Sequence, residues 1–102
     1  MENVKTSLVV RLVAKPGKET ALAEFLSGAL PLAQAETFTP VWFALRASAD
    51  VFYIVDAFAN AEDRAKHLAG EIAAALMANA ETLLAEAPSI TEADVLAVKL
   101  PA

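Results

Sequence analysis

The chain has 102 residues, enough for one compact domain and too few for a second of ordinary size. It has no cysteine, which excludes a disulfide framework, a thiol nucleophile and a thiolate metal site. Thirteen acidic residues against eight basic ones give a net charge of -5, and Lys and Arg gather into no stripe, which argues against a surface that tracks nucleic-acid phosphates.

Hydrophobic residues make up 57 %, above the roughly 45–50 % of ordinary soluble domains. A domain this small hides only part of its apolar surface by itself, so the excess points to burial against a partner subunit. No run approaches the ~20 apolar residues of a membrane helix. The opening "MENVKTSLVVRLVAKPG" carries Glu2 early and Arg11 within its apolar part, so it reads as a strand rather than a signal peptide. The expectation is a cytoplasmic chain, residues 1–102 forming a single domain, with neither membrane nor nucleic acid as partner.

In chain order, "SLVVRLVAK" is a β-branched run that Pro16-Gly17 ends, the pattern of a strand. "KETALAEFLSGALPLA" sets Leu22, Phe25, Leu26 and Ala29 on one helical face, and Pro31 limits that helix. "PVWFALRA" and "VFYIVDAFA", separated by Ser48-Ala49-Asp50, read as a β-hairpin. Asn60 is a good helix cap, with Glu62 and Asp63 beside the positive end of the helix dipole. The helical pattern then runs to about Ala87, before Pro88, and "ADVLAVKL" closes the chain as a strand.

The order strand, helix, strand, strand, helix, strand is that of an α+β, ferredoxin-like βαββαβ fold, an antiparallel sheet with two helices on one face. In the hairpin Trp42, Ala44 and Arg46 alternate with Val41, Phe43 and Leu45, and Phe52, Ile54, Asp56 and Phe58 with Val51, Tyr53, Val55 and Ala57. Both faces are largely apolar, although an antiparallel sheet wetted on one side shows polar-out alternation. Two helices cover one face. The other is expected to meet a second copy of the chain, giving a homodimer packed sheet to sheet.

The element order, with "VAKPGKETALAEFL", "VWFALR", "FYIVDAF" and "EDRAKHLAGEIAAAL", resembles the antibiotic biosynthesis monooxygenase family, which includes quinol monooxygenases. The resemblance implies a dimeric α+β barrel of ferredoxin-like subunits. It also implies oxidation of a small phenol, quinol or polyketide-type aromatic by dioxygen without a cofactor, in a pocket between sheet and helices. In the family's second-helix pattern a histidine, a pair that is often Ser-Pro, and a second histidine follow one another. Here these fall on His67, Gly70-Glu71 and Ile72, so one imidazole is absent. The Asn, Trp and His of a related haem-degrading branch fall on Val10, His67 and near Met77, and none is kept.

His67, the only histidine, is the candidate base, since its ordinary pKa of about 6.5 lies near working pH. On a straight helix the stripe Leu68, Ile72, Leu76 and Leu83 points away from it, leaving it with Asn60, Asp63 and Glu71 in solvent; a break at Gly70 would turn it inward. Asp56 is the second catalytic candidate, to orient or polarise the base. Arg46 either pairs with Asp56 as a structural salt bridge or holds an anionic substrate oxygen. Trp42, Phe52 and Phe58 are candidates to line the ring slot, with burial in the core as the competing role for Trp42. Arg11 is expected to be paired or at the barrel rim, Tyr53 to face the partner, and Glu81 and Glu86 to form a solvated helix face. With no convergent metal ligands, no Gly-x-Gly array and no Rossmann pattern, no cofactor is expected. The alternative to an oxygenase is a non-catalytic dimeric module, binding a small apolar ligand or serving as an assembly unit.

Overall fold

The computed structural model describes residues 4–101. Its sheet is built from β1 (Thr6–Val13), β2 (Val41–Arg46), β3 (Val51–Phe58) and β4 (Ser89–Asp94), in the spatial order β2-β3-β1-β4 with all neighbours antiparallel. The helical segments are α1 (Glu19–Gly28), α2 (Leu30–Ala35), α3 (Ala61–Leu68) and α4 (Glu71–Leu83). The fold is α+β and ferredoxin-like, as the sequence pattern predicts.

Each of the two expected helices is broken once. The first ends at Gly28 and restarts at Leu30, because Pro31, which cannot donate a backbone hydrogen bond, is accommodated only in a first turn. The second breaks at Ala69-Gly70. Pro16-Gly17 ends the first strand as expected: Lys18 N–H donates to Lys15 O, and Gly17 has φ 85°, the positive value that the third residue of a type II turn requires. Asn60 caps α3, its side chain accepting from Asp63 N–H.

Two boundaries differ from the sequence expectation. Helix α4 stops at Leu83 rather than near Ala87 because the chain there pairs with the end of β1, Lys15 N–H donating to Leu83 O and Ala85 N–H to Val13 O. The last strand is "SITEAD", not "ADVLAVKL". Pairing with β1 runs from Arg11↔Ser89 to Thr6↔Asp94, after which Val95 N–H reaches Lys5 O and the apolar run passes beyond the end of β1. Leu96 is 96 % exposed. An edge strand carrying Glu92 and Asp94 is shielded by charge from pairing with foreign strands, and that same polarity hid it from a hydrophobicity-led reading.

The core lies between one sheet face and the helices. Leu8, Val10 and Leu12 of β1 and Phe52, Ile54 and Phe58 of β3 pack against Leu22, Leu26, Leu76 and Leu83. On the other face Phe43 and Leu45 are exposed, and Val9, Val51, Tyr53 and Val55 are half-buried. Arg11, on that face, pairs with Glu86 at 3.1 Å. Glu86 lies beyond α4, so the expected Glu81–Glu86 helix face is not formed as such.

Candidate functional site

Among the described residues the core contains one buried cluster of charge. Asp56, opposite Leu8 in β1 and Trp42 in β2, points to the helix side and is 1 % exposed. Its Oδ1 accepts from Leu8 N–H at 3.2 Å. Its Oδ2 lies 3.1 Å from His67 Nε2, within ion-pair range but too poorly aligned for a directed hydrogen bond. His67 Nδ1 lies 2.6 Å from Glu36 Oε1, which also accepts from the Thr39 hydroxyl at 2.8 Å. The histidine ring rests against Phe58, centroids 5.3 Å apart.

The break between α3 and α4 produces this arrangement. Ala69 N–H closes the last turn of α3 onto Ala65 O and Lys66 O, Gly70 N–H donates to His67 O, and Gly70 then runs extended before Ala74 N–H opens α4 on Gly70 O. The faces of the two helices are thereby uncoupled. His67 turns under the sheet, 5 % exposed, while Ile72, Leu76 and Leu83 still pack inward. Leu68, expected in that stripe, belongs to α3 instead and is 37 % exposed. The solvent-facing orientation of His67 on a straight helix is thus corrected.

Gly70 is required for space. A Cβ there would sit 2.7 Å from Glu36 Oε2 and 3.2 Å from His67 O. Glu36, just after α2, is held in a tight turn in which Thr39 N–H donates to Glu36 O. Sequence reasoning missed it. It stands in "AETFTP" without periodicity, and the one signal available was a second carboxylate for a lone histidine.

Burial, which alone would lower the His67 pKa, is outweighed by the Asp56 and Glu36 carboxylates beside the two ring nitrogens, and the pKa is raised above 6.5. The C-terminal end of α3 favours the same charged form.

His67 and Asp56 reach a cavity of about 120 Å³ whose remaining wall is apolar: Leu8, Val10, Ile54, Ile72, Leu76 and Ile90 are prominent in it. The position of the family's second histidine, Ile72, is part of that wall.

The other candidates are distributed differently. Phe58 touches His67. Trp42 packs on the core opposite Asp56, with its indole Nε1 buried and without a hydrogen-bond partner. Phe52 is a core residue at the hairpin end of β3. Arg46 lies over the Phe52 ring at 5.0 Å and donates to Ser48 O and Ala49 O. The Arg46–Asp56 pair is not formed, because Arg46 stands opposite Phe52, four residues from Asp56 along β3. Among the described residues no group of His, Cys, Asp or Glu is arranged to hold a metal ion, and no helix is long and apolar enough to cross a membrane.

The NE2512 protein of Nitrosomonas europaea, described as of unknown function, is 55 % identical to this chain and superposes with a TM-score of 0.97, covering 100 % of this chain and 99 % of that one. The chain belongs to the same family as NE2512. A second Nitrosomonas europaea structure, provisionally named an antibiotic biosynthesis monooxygenase, matches at 16 % identity and TM-score 0.79 over 89 % of this chain and 98 % of its own. One from Caulobacter crescentus CB15 with the same provisional name matches at 20 % and 0.76 over 91 % of each. The fold is that of the antibiotic biosynthesis monooxygenases. No protein-family model and no curated protein matches the chain.

Proposed function

We propose that this protein oxidises a small phenol or quinol with dioxygen, without a cofactor, in the cavity beneath the sheet. The observation that carries the reading is the apolar cavity of about 120 Å³ into which one imidazole and one carboxylate project. A dry cavity of about 150 Å³ holds a benzene ring, and this one is somewhat smaller, so nothing larger than a single ring is the matching class. Electrons pass to dioxygen far more readily from a phenolate than from a phenol, so the task of the site is to take a proton and exclude water.

Asp56, which lines the cavity, is the proton acceptor available while His67 is charged. The imidazolium beside it stabilises the phenolate as it forms; above the raised His67 pKa, Nε2 itself becomes the base. The ring supplies the electrons. Hydroquinone plus dioxygen gives hydroxyquinone plus water, one oxygen atom entering the ring and the other leaving as water, so no external reductant is needed. Trp42 and Phe58 flank the charged pair from neighbouring strands, and Phe52 and Arg46 shape the end of the sheet towards the hairpin.

The working unit in this reading is a homodimer. Phe43 and Leu45, with Val9, Val55 and Tyr53, form an apolar sheet face that would be costly in water and that a second copy would cover.

Oxygen uptake by the purified protein with a panel of monocyclic hydroquinones tests the function. Uptake that falls at least tenfold in His67→Ala is expected; equal uptake in the two proteins overturns the mechanism. Ile72 favours a second reading, binding without turnover, since the wall there is apolar where the family carries an imidazole. Saturable binding of a hydroquinone without oxygen uptake would decide for it.

A further inference from the structure

The site has a third member that the chemistry above does not use. Glu36 contacts the histidine nitrogen remote from Asp56, its side chain is only 10 % exposed, and it comes from a turn 31 positions away. A carboxylate beside each ring nitrogen suits an imidazolium, whose Nδ1–H donates to Glu36 at 2.6 Å while its Nε2 side faces Asp56 at 3.1 Å as an ion pair. The remaining charges nearby are engaged elsewhere: Lys66 lies 3.7 Å from Asp63, and Arg64 donates to Ser7 O and lies 3.5 Å from Glu92 of β4. Glu71, which opens α4, is exposed.

Why Glu36 can stand so close is answered by residue 70. The position has φ -89°, which any residue adopts, so backbone freedom does not demand glycine. The missing Cβ does. The carboxylate of Glu36 occupies the volume that an alanine methyl group would take. The closest conflict is with the end of a flexible side chain, so a methyl group there displaces the carboxylate first, while its 3.2 Å approach to His67 O asks the backbone for no more than a small adjustment.

We propose that Glu36 is the positioning residue of this site, holding His67 as a cation with Nε2 turned to Asp56, in a berth that Gly70 keeps open. Glu36 fixes Nδ1 as a donor, just as the third member of a catalytic triad fixes the tautomer and orientation of its histidine. The assignment rests on the reading of His67 as a working group of the cavity, but its test does not need turnover.

The test is NMR titration of the ring of His67, whose signals are unambiguous in the untagged chain because it is the only histidine. Wild type is expected to titrate above pH 6.5. Glu36→Gln, nearly isosteric but uncharged, lowers the midpoint by about one unit or more. Gly70→Ala lowers it in the same direction while Glu36 is present and has no further effect in the Glu36→Ala background.

A midpoint unchanged to within a few tenths of a unit in Glu36→Gln overturns the assignment. So does a Gly70→Ala shift of equal size with and without Glu36. Either variant reads the proposal alone, should the other fail to fold. A lowered midpoint in a protein that consumes no oxygen sustains the role of Glu36 and removes the oxidation; an unchanged midpoint with uptake intact does the reverse.

Discussion

Glu36 Oε1 and His67 Nδ1 meet at 2.6 Å across 31 residues of sequence, and the contact ties the turn before β2 to the break between α3 and α4. The turn after α2 and the last turn of α3 are thereby joined beneath the sheet by one hydrogen bond. The bond is strongest when the ring is charged, which couples this junction to pH.

Stability should fall as pH rises above about 6.5. The folded-state pKa of His67 is raised, so the folded chain binds that proton more tightly than the unfolded chain. The contribution is complete below the unfolded value near 6.5. It is lost as pH climbs through the folded value. Thermal melts between pH 6 and pH 9 should show a decline in wild type that is absent in His67→Gln; parallel curves for the two would contradict it.

The sheet face of this site was legible in the sequence and the loop side was not. Strand alternation puts Asp56 on the face of Phe52, Ile54 and Phe58, and the observed register keeps it there. Gly70 marked a break that could turn His67 inward, although periodicity alone pointed the ring to solvent. Glu36 had no such signal: its position depends on a turn closed by Thr39 and on the space left at Gly70, and neither leaves a period in the sequence. The last strand was misplaced for a related reason. Hydrophobicity favoured "ADVLAVKL", but the length of β1 decides which residues have a partner, and it selects the polar "SITEAD".

Removing Asp56 should cost more than its side-chain volume suggests. Asp56→Ala leaves a buried imidazole with one counter-charge and takes the acceptor from Leu8 N–H, a loss of about 3–5 kcal/mol by analogy with broken buried ion pairs. Asp56→Asn keeps an acceptor of the same shape and should cost about 1–3 kcal/mol. Urea unfolding near neutral pH ranks the two variants; equal midpoints would mean that charge and backbone contact contribute nothing separable.

The outer sheet face can be tested by charge. Phe43 is 53 % exposed and Leu45 48 %, both on the face opposite His67, so Phe43→Asp with Leu45→Lys leaves the core and the cavity untouched. Sedimentation of the wild-type chain is expected to give a dimer, and the double variant a monomer with unchanged helix content. A wild-type monomer at high micromolar concentration would overturn the assembly.

Filling the cavity should separate stability from ligand binding. Ala73 lies in the cavity wall beside Ile72 and Met77, and Ala73→Leu directs added carbon atoms into a space now bounded by Leu8, Ile54 and Leu76. Cavity filling commonly stabilises by about 0.5–2 kcal/mol, because the wall recovers dispersion contacts it otherwise lacks. The same atoms occupy the volume a ring would need. The expected result is a higher melting temperature, an unchanged His67 titration and loss of hydroquinone binding measured by calorimetry. A variant that still binds the ring with wild-type affinity would place the ligand outside this cavity, whatever its effect on the melt.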